Sequence, residues 1–105
     1  MYMTTVTEAL SAERAVTAAR FFKGLADPNR LRLLAALGRG ELCVHELTAV
    51  VRMEQSAVSH QLRALREFAL VTSRREGRHI YYALADRHVR DLLEAGVAHA
   101  AHLRG

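Results

Sequence analysis

The chain has 105 residues, half of them hydrophobic and a quarter charged. That is an ordinary globular composition, enough for one domain (1–105) with its own core and marginal for two. The single cysteine, Cys43, excludes an internal disulfide and fits a reducing cytoplasm. No apolar run approaches membrane-spanning length, and Met1 to Thr7 lack a basic region followed by an apolar core. A membrane partner and a signal peptide are therefore not expected, and the expected location is cytoplasmic. The formal net charge of +4 is uneven. Arg52, Arg63, Arg66, Arg74, Arg75 and Arg78 outweigh Glu54, Glu67 and Glu76 by three within residues 52–78. Such a concentration is either a solvated basic face or a phosphate-binding surface.

Thr5 and Glu8 match a capping box that opens a first helix. Leu10, Val16, Phe21, Phe22 and Leu25 supply its apolar positions, which either fold onto the core or cover a partner chain. Asp27-Pro28 is a strong start for a second helix, because the aspartate accepts free backbone N–H groups and proline fits the first helical position. Leu31, Leu34 and Leu37 form its buried stripe, and Gly38-Arg39-Gly40 ends it. Glu41 to Val51 reads as a short third helix with Leu42, Leu47 and Val50 inward. Cys43 and His45 invite a metal reading, but two residues two apart on a helix diverge by about 200°. Cys43 is better read as a buried structural residue than as a ligand.

Arg52-Met53-Glu54 is a tight connection into a fourth helix from Gln55 to about Phe68. Val58, Leu62 and Leu65 face the core. The opposite face carries Gln55, Ser56, Ser59, His60 and Arg63, with no acid until Glu67. Short polar groups allow close approach to base edges, and Gln and Arg make bidentate contacts to adenine and guanine. Two helices joined this way form a helix-turn-helix. Leu70 to Ser73 and Ile80 to Leu84 are rich in strand-forming residues, with Glu-Gly a plausible turn between them. The expected product is a two-stranded ribbon with Arg74, Arg75 and Arg78 at its tip, placed to contact phosphate or the minor groove. The fold class is thus mainly α with a small β-hairpin: a winged helix-turn-helix of five helices and a two-stranded wing.

The last segment, Ala85 to Leu103, is amphipathic. Val89, Leu92, Leu93, Gly96, Val97, Ala100 and Leu103 make a long apolar stripe suited to a dimer seam. Asp86, His88, His99 and His102 follow a consistent spacing. His88 and His99 are eleven residues apart, nearly whole turns, so they share a face. They are also ~16 Å apart along one helix, too far for one ion. In an antiparallel pair of such helices, His88 opposite the partner copy of His99 puts the two-fold axis between Leu93 and Glu94. Asp86 opposite the partner copy of His102 puts it at Glu94. Both pairings agree on one axis, and two copies would build two identical sites of three imidazoles and a carboxylate, a set zinc accepts. Singly, each residue reads as a solvated surface group, and Asp86 as a helix cap.

The chain resembles the ArsR/SmtB family of bacterial metal-responsive repressors over nearly its full length. The matching stretches are Leu25-Ala26-Asp27-Pro28-Asn29-Arg30-Leu31-Arg32, Glu41-Leu42-Cys43-Val44, Gln55-Ser56-Ala57-Val58-Ser59-His60-Gln61-Leu62-Arg63 and Gly77-Arg78-His79-Ile80-Tyr81-Tyr82. The resemblance implies a homodimer whose first and last helices form the interface. It implies binding to double-stranded operator DNA with an inverted repeat in the metal-free state, and release on metal binding. Family members of the arsenic, lead or cadmium type use a Cys-x-Cys pair in the third helix. Here the second position is His45 and no other cysteine exists, which excludes a trithiolate. The interfacial type uses Asp-x-His followed by His-x-x-His, which Asp86, His88, His99 and His102 match in full. Zinc is the implied regulatory ion, with cobalt next. Nickel and cobalt sensors recruit extra ligands, and the segment ahead of the second helix holds no His or Cys to supply them. A nickel or cobalt sensor, and a repressor answering to oxidation of Cys43, stay as alternatives. Four protein ligands leave no open metal position, so an enzyme is not expected.

Overall fold

The computed structural model describes residues 9–103. Its first helix, α1 (Ala12–Leu25), begins at Ser11, whose hydroxyl accepts the Arg14 N–H at 3.1 Å. The Thr5–Glu8 capping box lies outside the described residues. Of the expected apolar positions on α1, Phe21 and Leu25 pack against the core, while Val16 and Phe22 are exposed. Gly24 is buried where α1 crosses the end of the fourth helix. A Cβ there would lie 2.7 Å from the Phe68 ring, so the approach requires glycine.

Helix α2 (Pro28–Leu37) starts as Asp27-Pro28 predicts, with the Asp27 carboxylate accepting the Arg30 N–H at 3.1 Å. Leu33, Leu34 and Leu37 are its buried residues, and Leu31 is only partly covered. The expected third helix is shorter than its sequence suggests. Leu42–Cys43 forms a strand, β1, and helix α3 spans Val44–Val51. The Cys43 N–H donates to the Glu46 carboxylate at 2.9 Å, closing the helix start. Leu47 is buried as expected, but Val51 turns inward and Val50 is exposed. Both valines fit the helical period from Leu47, and the packing of α3 on its neighbours selects the second.

Helix α4 (Gln55–Glu67) buries Val58, Leu62 and Leu65 completely. It follows α3 through Arg52, which takes a left-handed conformation (φ 57°). It ends at Ala69, also left-handed (φ 61°), where the Leu70 N–H returns to the Leu65 carbonyl at 2.9 Å. Strands β2 (Val71–Glu76) and β3 (His79–Leu84) are antiparallel and longer than expected. The turn is Gly77-Arg78 rather than Glu-Gly, with Gly77 at φ 63°. β1 pairs with β3 through Leu42–Tyr82 and Cys43–Tyr81. The sheet therefore has three strands in the order β1-β3-β2, not the two of the expected ribbon. Helix α5 (Arg87–His102) packs Val89 and Leu93 into the core and leaves Leu92, Val97 and Leu103 outside. A helix long and apolar enough to cross a membrane is absent among the described residues.

Candidate nucleic-acid interface and metal half-sites

Helix α4 presents Gln55, Ser56, His60 and Arg63 to solvent on the face opposite its buried leucines, with Ser59 partly covered beside them. The polar face anticipated from sequence is therefore a surface, not a buried helix contact. Gln61, off that face, accepts a hydrogen bond from Arg30 Nε at 3.0 Å. The Arg30 guanidinium also lies 5.2 Å from the centroid of the Phe68 ring. These contacts fix α4 against α2 at two heights. Sequence reasoning missed them, because Arg30 and Gln61 are 31 positions apart.

The wing arginines fall into two groups. Arg74 and Arg75 are neighbours in β2 and so point to opposite faces of the sheet. Arg78 is exposed in the turn. Arg74 Nε lies 3.1 and 3.0 Å from the two Glu41 carboxylate oxygens, and its Nη2 also meets that carboxylate. Its Nη1 donates to Glu76 at 2.8 Å, and its guanidinium sits 4.8 Å from the Tyr81 ring centroid. The hydrogen bond from Arg74 holds the Glu41 carboxyl below its ordinary pKa. The same bonds raise the pKa of Arg74. A carboxylate with a depressed pKa contributes fully above its unfolded value. This ion pair is thus intact at neutral pH and is lost only as pH falls through the folded pKa of Glu41, below 4.5. Among the described residues, no ion pair involves Arg75 or Arg78.

Asp86 is the N-cap of α5, where its Oδ1 accepts the Val89 N–H at 2.9 Å. The same oxygen lies 3.8 Å from His88 Nδ1, and both side chains are exposed. At the other end of α5, the rings of His99 and His102 have centroids 6.5 Å apart. One chain thus holds two pairs of donors at opposite ends of one helix. Among the described residues, no three His, Cys, Asp or Glu side chains converge. Asp86 and His88 are placed together, and so are His99 and His102, but the two pairs are not brought to each other within the chain. Each pair has the chemistry of a borderline metal site, nitrogen with or without carboxylate oxygen, and each has unused donor capacity. Cys43 is buried at the β1–α3 junction and His45 is exposed on α3.

Residues 27–73 match the model of a family described as "Bacterial regulatory protein, arsR family". The chain is 46% identical over 94 residues to the HTH-type transcriptional regulator NmtR of Mycobacterium tuberculosis, covering 90% of this chain and 78% of that protein. The chain belongs to the arsR family of bacterial regulatory proteins. It is also 55% identical over 85 residues to a transcriptional repressor SmtB homolog of Synechocystis, covering 81% of this chain and 64% of that relative's length. Among solved structures, it resembles the homodimeric winged helix-turn-helix DNA-binding domain of a possible ArsR-family regulator from Mycobacterium bovis. That likeness has a TM-score of 0.78 and 33% identity, over 92% of this chain and 94% of the other. The arsR-family chain is accordingly a DNA-binding transcription regulator with a winged helix-turn-helix, not an enzyme.

Proposed function

We propose that this arsR-family regulator is a repressor that binds operator DNA as a metal-free homodimer and leaves it when zinc binds between the two α5 helices. The observation that carries this reading is the pair of incomplete donor sets at the two ends of an α5 helix with an exposed apolar face. An antiparallel pairing of two such helices covers the apolar face. It also joins Asp86 and His88 of one chain to His99 and His102 of the other. When bound, the ion would tie the two chains through nitrogen and oxygen ligands. Asp86 and the three histidines would hold it, with neutral imidazoles and an ionised carboxylate as donors.

Gln55, Ser56, Ser59, His60 and Arg63 form the surface offered to the major groove, and Arg75 and Arg78 the basic edge offered to phosphate. A homodimer places two such surfaces on major grooves ~34 Å apart. A change in the relative orientation of the protomers breaks that match. The coupling required is ordinary, ~1–3 kcal/mol. The product of release is expression of metal efflux or sequestration genes. Burial of Cys43 weighs against oxidation of its thiol as the signal.

Cobalt(II) titration followed by visible absorption tests the site. Strong d–d bands saturating at two ions per dimer, without a thiolate charge-transfer band, are expected. A charge-transfer band brings Cys43 into the site and overturns the placement. Weak bands mean higher coordination and favour a nickel or cobalt sensor. In the His99→Ala variant, zinc should no longer release DNA; full zinc-dependent release would sink the model.

A further inference from the structure

Arg74 looks from its sequence position like a DNA contact, and its surroundings argue otherwise. It lies in a cluster with Glu41 and Glu76 whose net charge is −1. Nε, Nη1 and Nη2 all donate to carboxylates, and Tyr81 covers a face of the guanidinium. A phosphate arriving here would meet an acidic cluster and an arginine whose three nitrogens each already donate to a carboxylate. Strand alternation places Arg75 on the other side of the sheet, away from this cluster. Arg78 is exposed in the turn, clear of it. Glu41 stands immediately before β1, the strand that leads into α3. The cluster therefore joins the outer strand of the wing to the chain segment entering the helix-turn-helix, across β3.

We propose that Arg74 is a positioning residue: with Glu41, Glu76 and Tyr81 it locks the wing to the entrance of the helix-turn-helix, and leaves Arg75 and Arg78 to meet phosphate. The proposal rests on the DNA-binding reading above. Beyond the β1 pairing at Tyr81 and Tyr82 the wing is a two-stranded ribbon whose residues 74–79 are exposed, and such ribbons are scarcely stable without outside support. The Glu41–Arg74 contact spans 33 positions of sequence and gives that support at the outer face.

The test is binding of a 30-base-pair duplex, obtained by in vitro selection from random-sequence DNA, measured by anisotropy over a range of salt (~30 base pairs spans two half-sites one turn apart). Removing one phosphate interaction lowers the slope of log affinity against log salt by about 0.9. Arg78→Ala, the control for direct phosphate binding, should weaken binding and flatten the slope by about that amount. Arg74→Ala and Glu41→Gln should each weaken binding by up to about fivefold, the range open to an exposed charged pair, with the slope unchanged. The double variant should bind no worse than Arg74→Ala alone, because both changes open the same lock. Glu41→Gln preserves side-chain shape and keeps the fold, so it serves if Arg74→Ala melts. A flattened slope in Arg74→Ala together with tighter binding by Glu41→Gln would overturn the proposal and make Arg74 a masked phosphate ligand. No effect of either change would overturn it as well. Failure of the wild-type chain to select any duplex would refute the DNA-binding reading itself, an outcome separate from these.

Discussion

The middle of the chain and its two ends differ in how far one copy completes them. From α2 to β3 the chain buries Leu33, Leu34, Leu47, Val58, Leu62, Leu65 and Leu70 fully. That region also satisfies its own polar contacts, including Arg30 with Gln61 and Arg74 with Glu41. The terminal helices are capped and reach the core through a few side chains, but leave more of their apolar surface uncovered. Val16 and Phe22 on α1, and Val97 and Leu103 beyond the packed face of α5, are all more than half exposed. The radius of gyration, 15.3 Å, exceeds the ~13 Å of a compact domain of this length. The same helix that exposes apolar surface also carries the two unfinished donor pairs. The DNA-reading part is thus closed by one chain's own contacts, whereas on the proposed function the last helix is completed by another copy.

The largest effects should separate these halves. Leu62→Ala removes a fully buried side chain at the centre of the middle region. It should cost about 2–5 kcal/mol in urea denaturation. A cost under ~1 kcal/mol would mean that the middle region is not held by its own core. Val97→Glu should act in the opposite way. The side chain is 53% exposed and off the core, so helicity should persist while sedimentation shows a monomer. A dimer that survives this charge on the proposed seam would break the comparison, because the exposed face would then have another purpose.

Much of the middle region is legible in the sequence because its signals are short-range. Asp27-Pro28 and the leucines of α4 lie within a few residues of what they specify, and the structure agrees with them. The stripe expected on α2 differs at one position, since Leu31 and Leu33 fit the helical period almost equally until other elements choose between them. β1 is invisible for a different reason. A two-residue strand has no periodicity, and its identity comes from pairing with Tyr81 and Tyr82. Once β2 and β3 extend to Glu76 and His79, Arg74 and Arg75 must face opposite ways, which a shorter ribbon conceals. For the proposed metal residues, the structure shows only that Asp86 lies beside His88 and His99 near His102 on α5, as helical spacing implies. Their proposed union requires a second chain, so one chain's contacts do not display it.

A finer prediction separates the capping role of Asp86 from its proposed role as a zinc ligand. Its carboxylate caps α5 through the Val89 N–H, a duty that serine also performs. Asp86→Ser should melt close to wild type and Asp86→Ala about 1 kcal/mol lower, while both lose zinc affinity. Retention of wild-type zinc affinity in Asp86→Ser would leave Asp86 a cap alone and return α5 to three donors. The site would then be open rather than closed.

The smallest effect is expected at Ala69, where α4 ends. Its left-handed backbone (φ 61°) brings the Cβ close to the following carbonyl oxygen, at a cost of roughly 1 kcal/mol that glycine does not bear. The conformation is imposed by the return of the Leu70 N–H to Leu65 and by the Ala85 N–H, which bonds the Leu70 carbonyl at 3.0 Å. Ala85 directly precedes the cap of α5, so the end of α4 and the start of α5 share one backbone link. Ala69→Gly should raise stability by about 0.5–1 kcal/mol in the same urea measurement. If the link only closes the fold, zinc-dependent DNA release should be unchanged in this variant. If the strain at Ala69 instead helps the two halves respond to each other, relieving it should reduce the ratio of DNA affinities without and with zinc. That result would place the boundary between the self-sufficient and unfinished regions at this residue.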